Sequence, residues 1–486
     1  MEKHRCATAT GAALAAVALV PTLYWPALHA TYRIDDYAWL SLANTLVHGR
    51  GLLWALFSPQ AQGTIRPLGE RVWFLVASIL FGSNPAPLHA LALGVQALNV
   101  MLVIDVGRRL LGSPLAAAIA AALWIINSTL VEPMVWASAV NEVVFTCFFL
   151  LAFDAFLRWL DSGKRVWLLA HVAAFILALG ALELAVTLPA VVAAYLLLFR
   201  RGKWRALWPS MAIVLVYLLV HFLAVRLPPD GAYALRFHWG LAGNFAHYWA
   251  TVLGPQEYYR THGGCGALAR FATFFLSAAI LLWLAVRSRK NDWLPTFGLL
   301  WFVIALAPAL PLLGHVTAYY AFLPSIGLAW LAGGAVVHAP AWPARSLALA
   351  CVVIYVLCEI PSTIFVRNWA LDRSRDTARR EARLQEQVRE IRQRQPGGAV
   401  FLSGLDMEQF WWGLCYGELY REGFSDLHVL PDAGEHGVPI PPREWCYSED
   451  FQYSREKTRR MLTDGEAHVY DVSKSPPKFV TPSTSF

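Results

Sequence analysis

The sequence predicts a polytopic α-helical membrane protein with a small α/β domain at its C-terminal end. Three observations carry that expectation. First, 57% of the 486 residues are hydrophobic and 15% are charged, against roughly 25% charged in an ordinary soluble protein. The mean hydropathy is +0.45, and one soluble core cannot absorb that much apolar side chain, so most of it must face lipid. Second, apolar stretches alternate with short basic runs, and the 21 Trp and 17 Tyr suit many segment ends at a membrane interface. Third, after Pro361 the composition turns charged and then mixed.

About eleven spans are long enough to read as membrane helices or close to it. The first covers residues 11–30. Its apolar run is long for a signal-peptide core, and many spans follow, so it reads as an anchor. The others fall at 87–107, 114–130, 143–159, 166–181, 184–199, 207–225, 268–286, 293–310, 319–337 and 346–360. Arg108-Arg109, Lys164-Arg165 and the basic runs at 200–205 and 287–290 all land on one side, which the positive-inside rule makes cytoplasmic. The N-terminus is then inside and the C-terminus outside. The formal charge of +7 is absorbed by these loops and does not point to nucleic acid.

Residues 1–362 form the expected membrane domain, including an outside loop at 31–85. A second outside segment covers 226–267, with a stretch near 241–253 that could dip into the membrane. Within the first loop, 68–81 is apolar but short, and reads as an interfacial helix. The tail, 363–486, begins with a linker helix at 367–394. Strands are expected at 399–402, 427–430 and 467–470, with a helix at 407–421 between the first two. Cys415 and Cys446 would lie in an oxidising compartment and could pair; their spacing alone does not decide it. Cys147, Cys351 and Cys358 fall in apolar spans and read as inert. No C-x-x-C is present, which argues against a metal knuckle or a redox motif.

The candidate chemistry starts at Arg33-Ile34-Asp35-Asp36-Tyr37. Adjacent carboxylates just past a membrane segment are costly against lipid, so they belong in a wet cavity with a function. A helix N-cap at Asp36, opening a helix over 37–48, is the plain alternative; it accounts for one Asp and leaves the other. One acid would act as a general base and the other would tune it or hold a cation. Arg66 on the same loop is either an interfacial anchor or a guanidinium clamp for a phosphate. His89 and Asn99, in the second span, read as helix–helix contacts or cavity residues. Polar residues collect again at an outer edge from Asn127 to Glu142, including Glu132 and Asn141; Glu183 adds a carboxylate at the same depth. His315 and Tyr319 precede the tenth span.

Taken in order, these pieces resemble the GT-C superfamily of integral-membrane glycosyltransferases. The likeness is to the membrane half of the transmembrane-and-tetratricopeptide O-mannosyltransferases and their bacterial relatives. The matching pieces are the acid pair after the first span, Arg66-Pro67-Leu68, and the turn with Val131-Glu132, Val135-Trp136 and Asn141-Glu142. Leu182-Glu183 with Val186-Thr187 follows, and Tyr320-Ala321-Phe322-Leu323-Pro324-Ser325-Ile326-Gly327 looks like the family's R-Y-L-Y-L-P-S-x-G. The likeness covers residues 1–340. It departs at Asn127-Ser128, where relatives often carry His-Pro, at the Arg before Tyr-Leu-Tyr, and in lacking a tetratricopeptide array.

The resemblance implies a sugar donor on a polyprenyl phosphate or diphosphate, presented at the outer face of a bacterial inner membrane, and a glycan or protein acceptor in the periplasm. By that analogy Asp35 deprotonates the acceptor hydroxyl as it attacks the anomeric carbon with inversion, and Asp36 orients the acceptor or a cation. Arg66, with His315 or Tyr319, meets the leaving phosphate's charge. Glu132, Asn141, Glu142, Glu183 and His89 would line the acceptor side. No cofactor is required; a divalent cation is an open alternative. A transporter or flippase of lipid-linked sugars would share the acidic residues but should show inverted repeats, which the sequence lacks. A ligase moving a whole glycan is chemically close.

Overall fold

The computed structural model describes residues 2–58, 65–225, 231–254, 266–431 and 441–480. Parts of the expected outside segments 31–85 and 226–267, and of the tail, lie outside the described residues. The chain divides into two compact units. The first comprises Met1–Leu28, Pro59–Gly69 and Leu88–Ala370; the second comprises His29–Ser58, Glu70–Pro87 and Leu371–Phe486.

In the first unit, each of the eleven expected apolar segments falls on helix. Among the described residues, six helices are long and apolar enough to cross a membrane. A bent pair, Pro114–Ile125 with Ser128–Val135 at 63°, would make a seventh, and Arg165–Ala181, Glu183–Phe199, Leu294–Ala309 and Ser325–His338 are shorter. The stretch near 241–253 is a helix, Gly240–Leu253. The expected separation between the last span and the linker helix is absent: one helix runs Trp342–Arg394 through Pro361. Ser362 Oγ donates to the Cys358 carbonyl at 2.8 Å, a side-chain adjustment of the kind that lets a proline sit inside a membrane helix.

Packing follows from what burial demands of polar atoms. Three buried indoles find backbone acceptors: Trp124 Nε1–H donates to Phe322 O, Trp301 Nε1–H to Leu323 O and Trp330 Nε1–H to Val103 O, at 3.0–3.1 Å. Each donor would otherwise be stranded away from water. Asn99 behaves as a helix–helix contact, donating to Gln96 Oε1 and to Val143 O. The Leu294–Leu306 and Ser325–His338 helices meet at Gly298 and Gly327, where a Cβ on Gly327 would sit 2.2 Å from the Gly298 carbonyl oxygen. Small residues allow such backbone approach in membranes.

The bend between Ile125 and Ser128 frees backbone groups, and the Trp342–Arg394 helix satisfies them. Fully buried Glu359 accepts the Ser128 N–H at 2.9 Å. Asn127 donates to Tyr355 Oη at 2.7 Å and to the Val252 carbonyl at 3.1 Å, and accepts from Thr129 N–H at 3.0 Å. Asp105 on the Ala86–Leu111 helix and Asp154 on the Val140–Ser162 helix bind Arg108, Arg109 and Arg158; Arg158 bridges both acids at 2.6 and 2.7 Å.

The second unit contains a four-stranded sheet, β1 (Ala399–Ser403), β2 (Leu427–Val429), β3 (Ala467–Asp471) and β4 (Lys478–Val480), in the order β2-β1-β3-β4. β1 runs parallel to β2 and β3, with Phe401 opposite His428 and Val469; β4 closes the edge antiparallel to β3. The expected strands are present, and β4 is additional. The expected helix over 407–421 is broken into Met407–Phe410, a π turn Trp411–Cys415, and Glu418–Arg421. The break comes at Gly417, at φ 93°, where a Cβ would meet Tyr447 Cβ at 2.3 Å. Cys415 and Cys446 form a disulfide. The expected interfacial helix is a π turn, Pro67–Val72, followed by Trp73–Phe81, on which Ile79 and Leu80 are 64% and 66% exposed.

Replacing Glu359 by Ala strands the Ser128 N–H in a buried break. A loss of about 1–3 kcal/mol is expected, measured as a lower thermal midpoint of the purified protein in detergent.

Candidate functional site

In the second unit, the acid pair sits on a strained turn. Ile34, a β-branched residue, has φ 48° and ψ −113°, a backbone region such residues rarely enter. Asp36 holds it there. The Asp36 carboxylate accepts the Arg33 N–H at 2.8 Å, and the Asp36 N–H donates to the Arg33 carbonyl at 3.0 Å. Asp36 is fully buried. It therefore does not cap a helix running forward to residue 48. The helix starts at Asp35 with no side-chain cap and breaks into Asp35–Leu40 and Leu42–Val47.

Asp35 is left half-buried with a different character. Burial is the main cause that pushes its carboxyl up to about 6; the Glu70 carboxylate adds to this and Arg33 opposes it. The two acids thus have different roles. One shapes the backbone, and the other is a carboxyl near the pH at which a base both ionises and accepts a proton readily.

In the first unit, Arg66 makes a bidentate pair with Glu183, Nε to Oε2 at 2.7 Å and Nη2 to Oε1 at 2.5 Å, with 13% of its side chain exposed. The loop that carries it is seated closely. A Cβ on Gly69 would lie 2.3 Å from the Ala181 carbonyl oxygen and 2.9 Å from Asn141 Cβ, and Gly180 faces Leu68 and Pro67. So Arg66-Pro67-Leu68-Gly69 rests on the turn that presents Glu183 and on the helix that presents Asn141 and Glu142.

The Arg66 guanidinium is within electrostatic reach of buried Glu142, Tyr217, His221, His315 and Tyr320. His315 Nε2 lies 3.1 Å from Tyr319 Oη and 3.4 Å from Tyr233 Oη. Burial first, and then Arg66, hold the His315 imidazole below its ordinary value, so it is neutral at pH 7 and acts through hydrogen bonds. Tyr319 lies within electrostatic reach of Glu132 and Glu142. One guanidinium thus stands among carboxylates, phenols and a neutral imidazole. Such groups bind sugar hydroxyls, while the guanidinium supplies the positive charge a phosphate needs. Among the described residues, no group of three or more His, Cys, Asp or Glu could hold a metal ion.

The structure therefore gathers Arg66, Glu132, Asn141, Glu142, Glu183, His315 and Tyr319 in one unit, and Asp35 with Asp36 in the other. His89 is buried at the start of the Ala86–Leu111 helix. Residues not singled out from sequence are Gly69, Glu70, Tyr217, His221 and Tyr233. Tyr217 and His221, four apart on one face of an apolar helix with rings 5.5 Å apart, carried a usable signal, since ionisable groups in such helices are seldom idle.

Comparison with solved structures identifies the fold. The crystal structure of ArnT from Cupriavidus metallidurans in the apo state aligns over 95% of this chain and 93% of that one, at 14% identity and a TM-score of 0.51. ArnT from the same organism bound to undecaprenyl phosphate aligns over the same shares at 16% identity and 0.48. The archaeal oligosaccharyltransferase AglB from Archaeoglobus fulgidus, in complex with an inhibitory peptide and a dolichol-phosphate, aligns over 77% of this chain and 56% of that one, at 14% identity and 0.44. The chain has a GT-C-like fold and is a multi-pass membrane protein. No protein-family model matches it, and no curated protein matches it by sequence.

Two outcomes follow from this geometry. Gly69→Ala drives a methyl into the Ala181 carbonyl, and should lower the thermal midpoint by several degrees, a cost of about 1–3 kcal/mol. Asp35→Asn should do the reverse. The folded chain keeps the Asp35 proton to about pH 6, while the unfolded chain releases it near the ordinary carboxylate value. Stability therefore falls as pH rises through that window, and at pH 7 the ionised acid is a net cost. Removing it should stabilise the protein by about 1–3 kcal/mol at pH 7 and by little at pH 3, read from denaturation at both pH values.

Proposed function

We propose that the protein is a membrane glycosyltransferase of GT-C type that moves one sugar from a polyprenyl-phosphate carrier to an acceptor hydroxyl on the periplasmic side of a bacterial inner membrane. The observation that carries this reading is Asp35: a half-buried carboxyl, held on a strained turn, with its proton affinity raised to about 6. Strain and raised affinity both cost stability, and such costs collect where a side chain has chemical work.

In this reading Asp35 takes the proton from the acceptor hydroxyl as its oxygen attacks the anomeric carbon. The bond to the carrier phosphate breaks on the opposite face, giving inversion. Asp36 keeps the turn in shape. The Arg66 constellation is assigned to the donor: Glu183 holds one edge of the guanidinium, whose positive charge would meet a phosphate, while Glu132, Glu142, Asn141 and the His315–Tyr319 pair would meet hydroxyls. ArnT, whose fold the chain shares, has been crystallised with undecaprenyl phosphate, which makes that lipid class the first donor to supply. The Cys415–Cys446 disulfide supports an oxidising compartment for the tail.

Incubation of the purified protein with a panel of polyprenyl-phosphate sugars should give turnover with at least one. With that donor, Asp35→Asn should lower kcat by at least about 10³-fold, equivalent to about 4 kcal/mol, and the acid limb of kcat/KM should lie near pH 6. Retained activity in Asp35→Asn ends the base assignment. A phosphatase reporter fused after Phe486 should be active, since the tail is read as periplasmic; a silent one overturns the orientation.

A further inference from the structure

The segment bearing the acid pair packs with the C-terminal residues, and the contacts fall at three successive places along it. At its start, the Thr31 N–H donates to Ser374 Oγ at 2.6 Å and the Thr31 hydroxyl to the Ser374 carbonyl at 2.8 Å. In the middle, the Tyr37 ring lies 6.2 Å from the Tyr416 ring, and its hydroxyl is hydrogen-bonded to Glu381. At its end, buried Asn44 donates from Nδ2 to two carbonyls, Cys415 O at 3.3 Å and Trp445 O at 3.2 Å. The two acceptors fix which way the amide points, since its own oxygen would repel both.

Those acceptors belong to the disulfide and its neighbour. Cys415 is bonded to Cys446, the residue after Trp445. The Tyr447 N–H donates to the Cys415 carbonyl at 2.7 Å, closing the same ring of contacts. The disulfide therefore holds two carbonyls at the separation that one carboxamide can span, and sets Tyr416 against Tyr37, the residue after the acid pair. No assigned step uses any of these groups.

We propose that Asn44 is a positioning residue for Asp35, and that the disulfide-closed part of the C-terminal domain is the template on which the Asp35 turn is set. The inference rests on the reading of Asp35 as the base, and gives the tail a role in the same reaction. Without the template, the strained Ile34 turn has lost its outer support and relaxes. Asp35 then becomes wetter and moves away from the Glu70 carboxylate and the Arg33 guanidinium that now face it, with Asp36 beside it on the same turn.

The test uses the full chain in lipid nanodiscs and needs no substrate. A hydrophobic carbodiimide labels protonated carboxyls, so the pH dependence of labelling at Asp35, read by peptide mass spectrometry, reports its titration. The wild type should titrate near pH 6. Asn44→Ala, and separately Cys415→Ser with Cys446→Ser, should move the midpoint at least one pH unit lower. Amide exchange over residues 35–47 should quicken by at least tenfold, while exchange in the Val140–Ser162 helix stays unchanged. Asn44→Gln, which keeps both N–H groups, should recover most of the midpoint shift. An unmoved midpoint in Asn44→Ala overturns the proposal, as does an equal shift in Asn44→Gln. If Asn44→Ala fails to fold, the cysteine pair decides by the same readout. Loss of transfer in Asp35→Asn together with an unmoved midpoint in Asn44→Ala would reject the template and leave the glycosyltransferase reading intact. Full transfer by Asp35→Asn would reject the reading itself.

Discussion

Much of this molecule is organised by the cost of keeping a backbone polar group or a carboxylate away from water without a partner. The Arg33–Asp36 turn shows it at small scale. Two hydrogen bonds between residues three apart hold Ile34 where its own sterics oppose it. A carboxylate accepting a backbone N–H is a strong, charge-assisted contact, and Asp36 is fully buried to make it. Were the Asp36 side chain turned outward, the turn would lose the charge-assisted one of its two hydrogen bonds. The same rule governs the broken span at Ile125, where Glu359 reaches across from another helix to meet the Ser128 N–H, and the three indoles that each end on a carbonyl.

The acid pair is a division of labour set by environment. Neighbours in sequence, Asp35 and Asp36 differ because one side chain folds back on the chain and the other faces Glu70 and Arg33. Arg66 is likewise defined by its setting: Gly69 and Gly180 let its loop approach the Ala181 turn closely enough for a bidentate pair with Glu183. A Cβ at Gly69 would run into the Ala181 carbonyl and push the loop, and with it the guanidinium, away from Glu183.

The apolar helices were legible because hydrophobic length is a one-dimensional property, and each of the eleven apolar stretches falls on helix. The strands of the tail were legible for a similar reason, since Ala399–Ser403 and Ala467–Asp471 are compact β-branched and aromatic runs bounded by turn residues. Helix continuity was not. Pro361 reads as a stop, yet the helix passes through it, because packing outweighs local preference. The helix expected over 407–421 fails for the opposite reason: helical spacing is present, but Gly417 and the disulfide impose a turn that periodicity does not encode. The Asp and Arg candidates could be picked out as residues, because charge in greasy surroundings is conspicuous. Their separate roles could not, since the Asp36 staple, Glu70 beside Asp35 and Gly69 beneath Arg66 are relations in space. Tyr233 was missed because a single tyrosine in an outside loop carries no pattern, and only the fold sets its hydroxyl 3.4 Å from His315 Nε2.

Asn44 and Trp445, joined through a side-chain hydrogen bond, are 401 residues apart in sequence. At a synthesis rate of about 5–20 residues per second, the early loop emerges roughly 20–80 s before the segment that shapes it. During that interval the Asn44 amide lacks both of its carbonyl acceptors, so the contacts that tie this early loop to the tail close only after Cys415 and Cys446 have both been made.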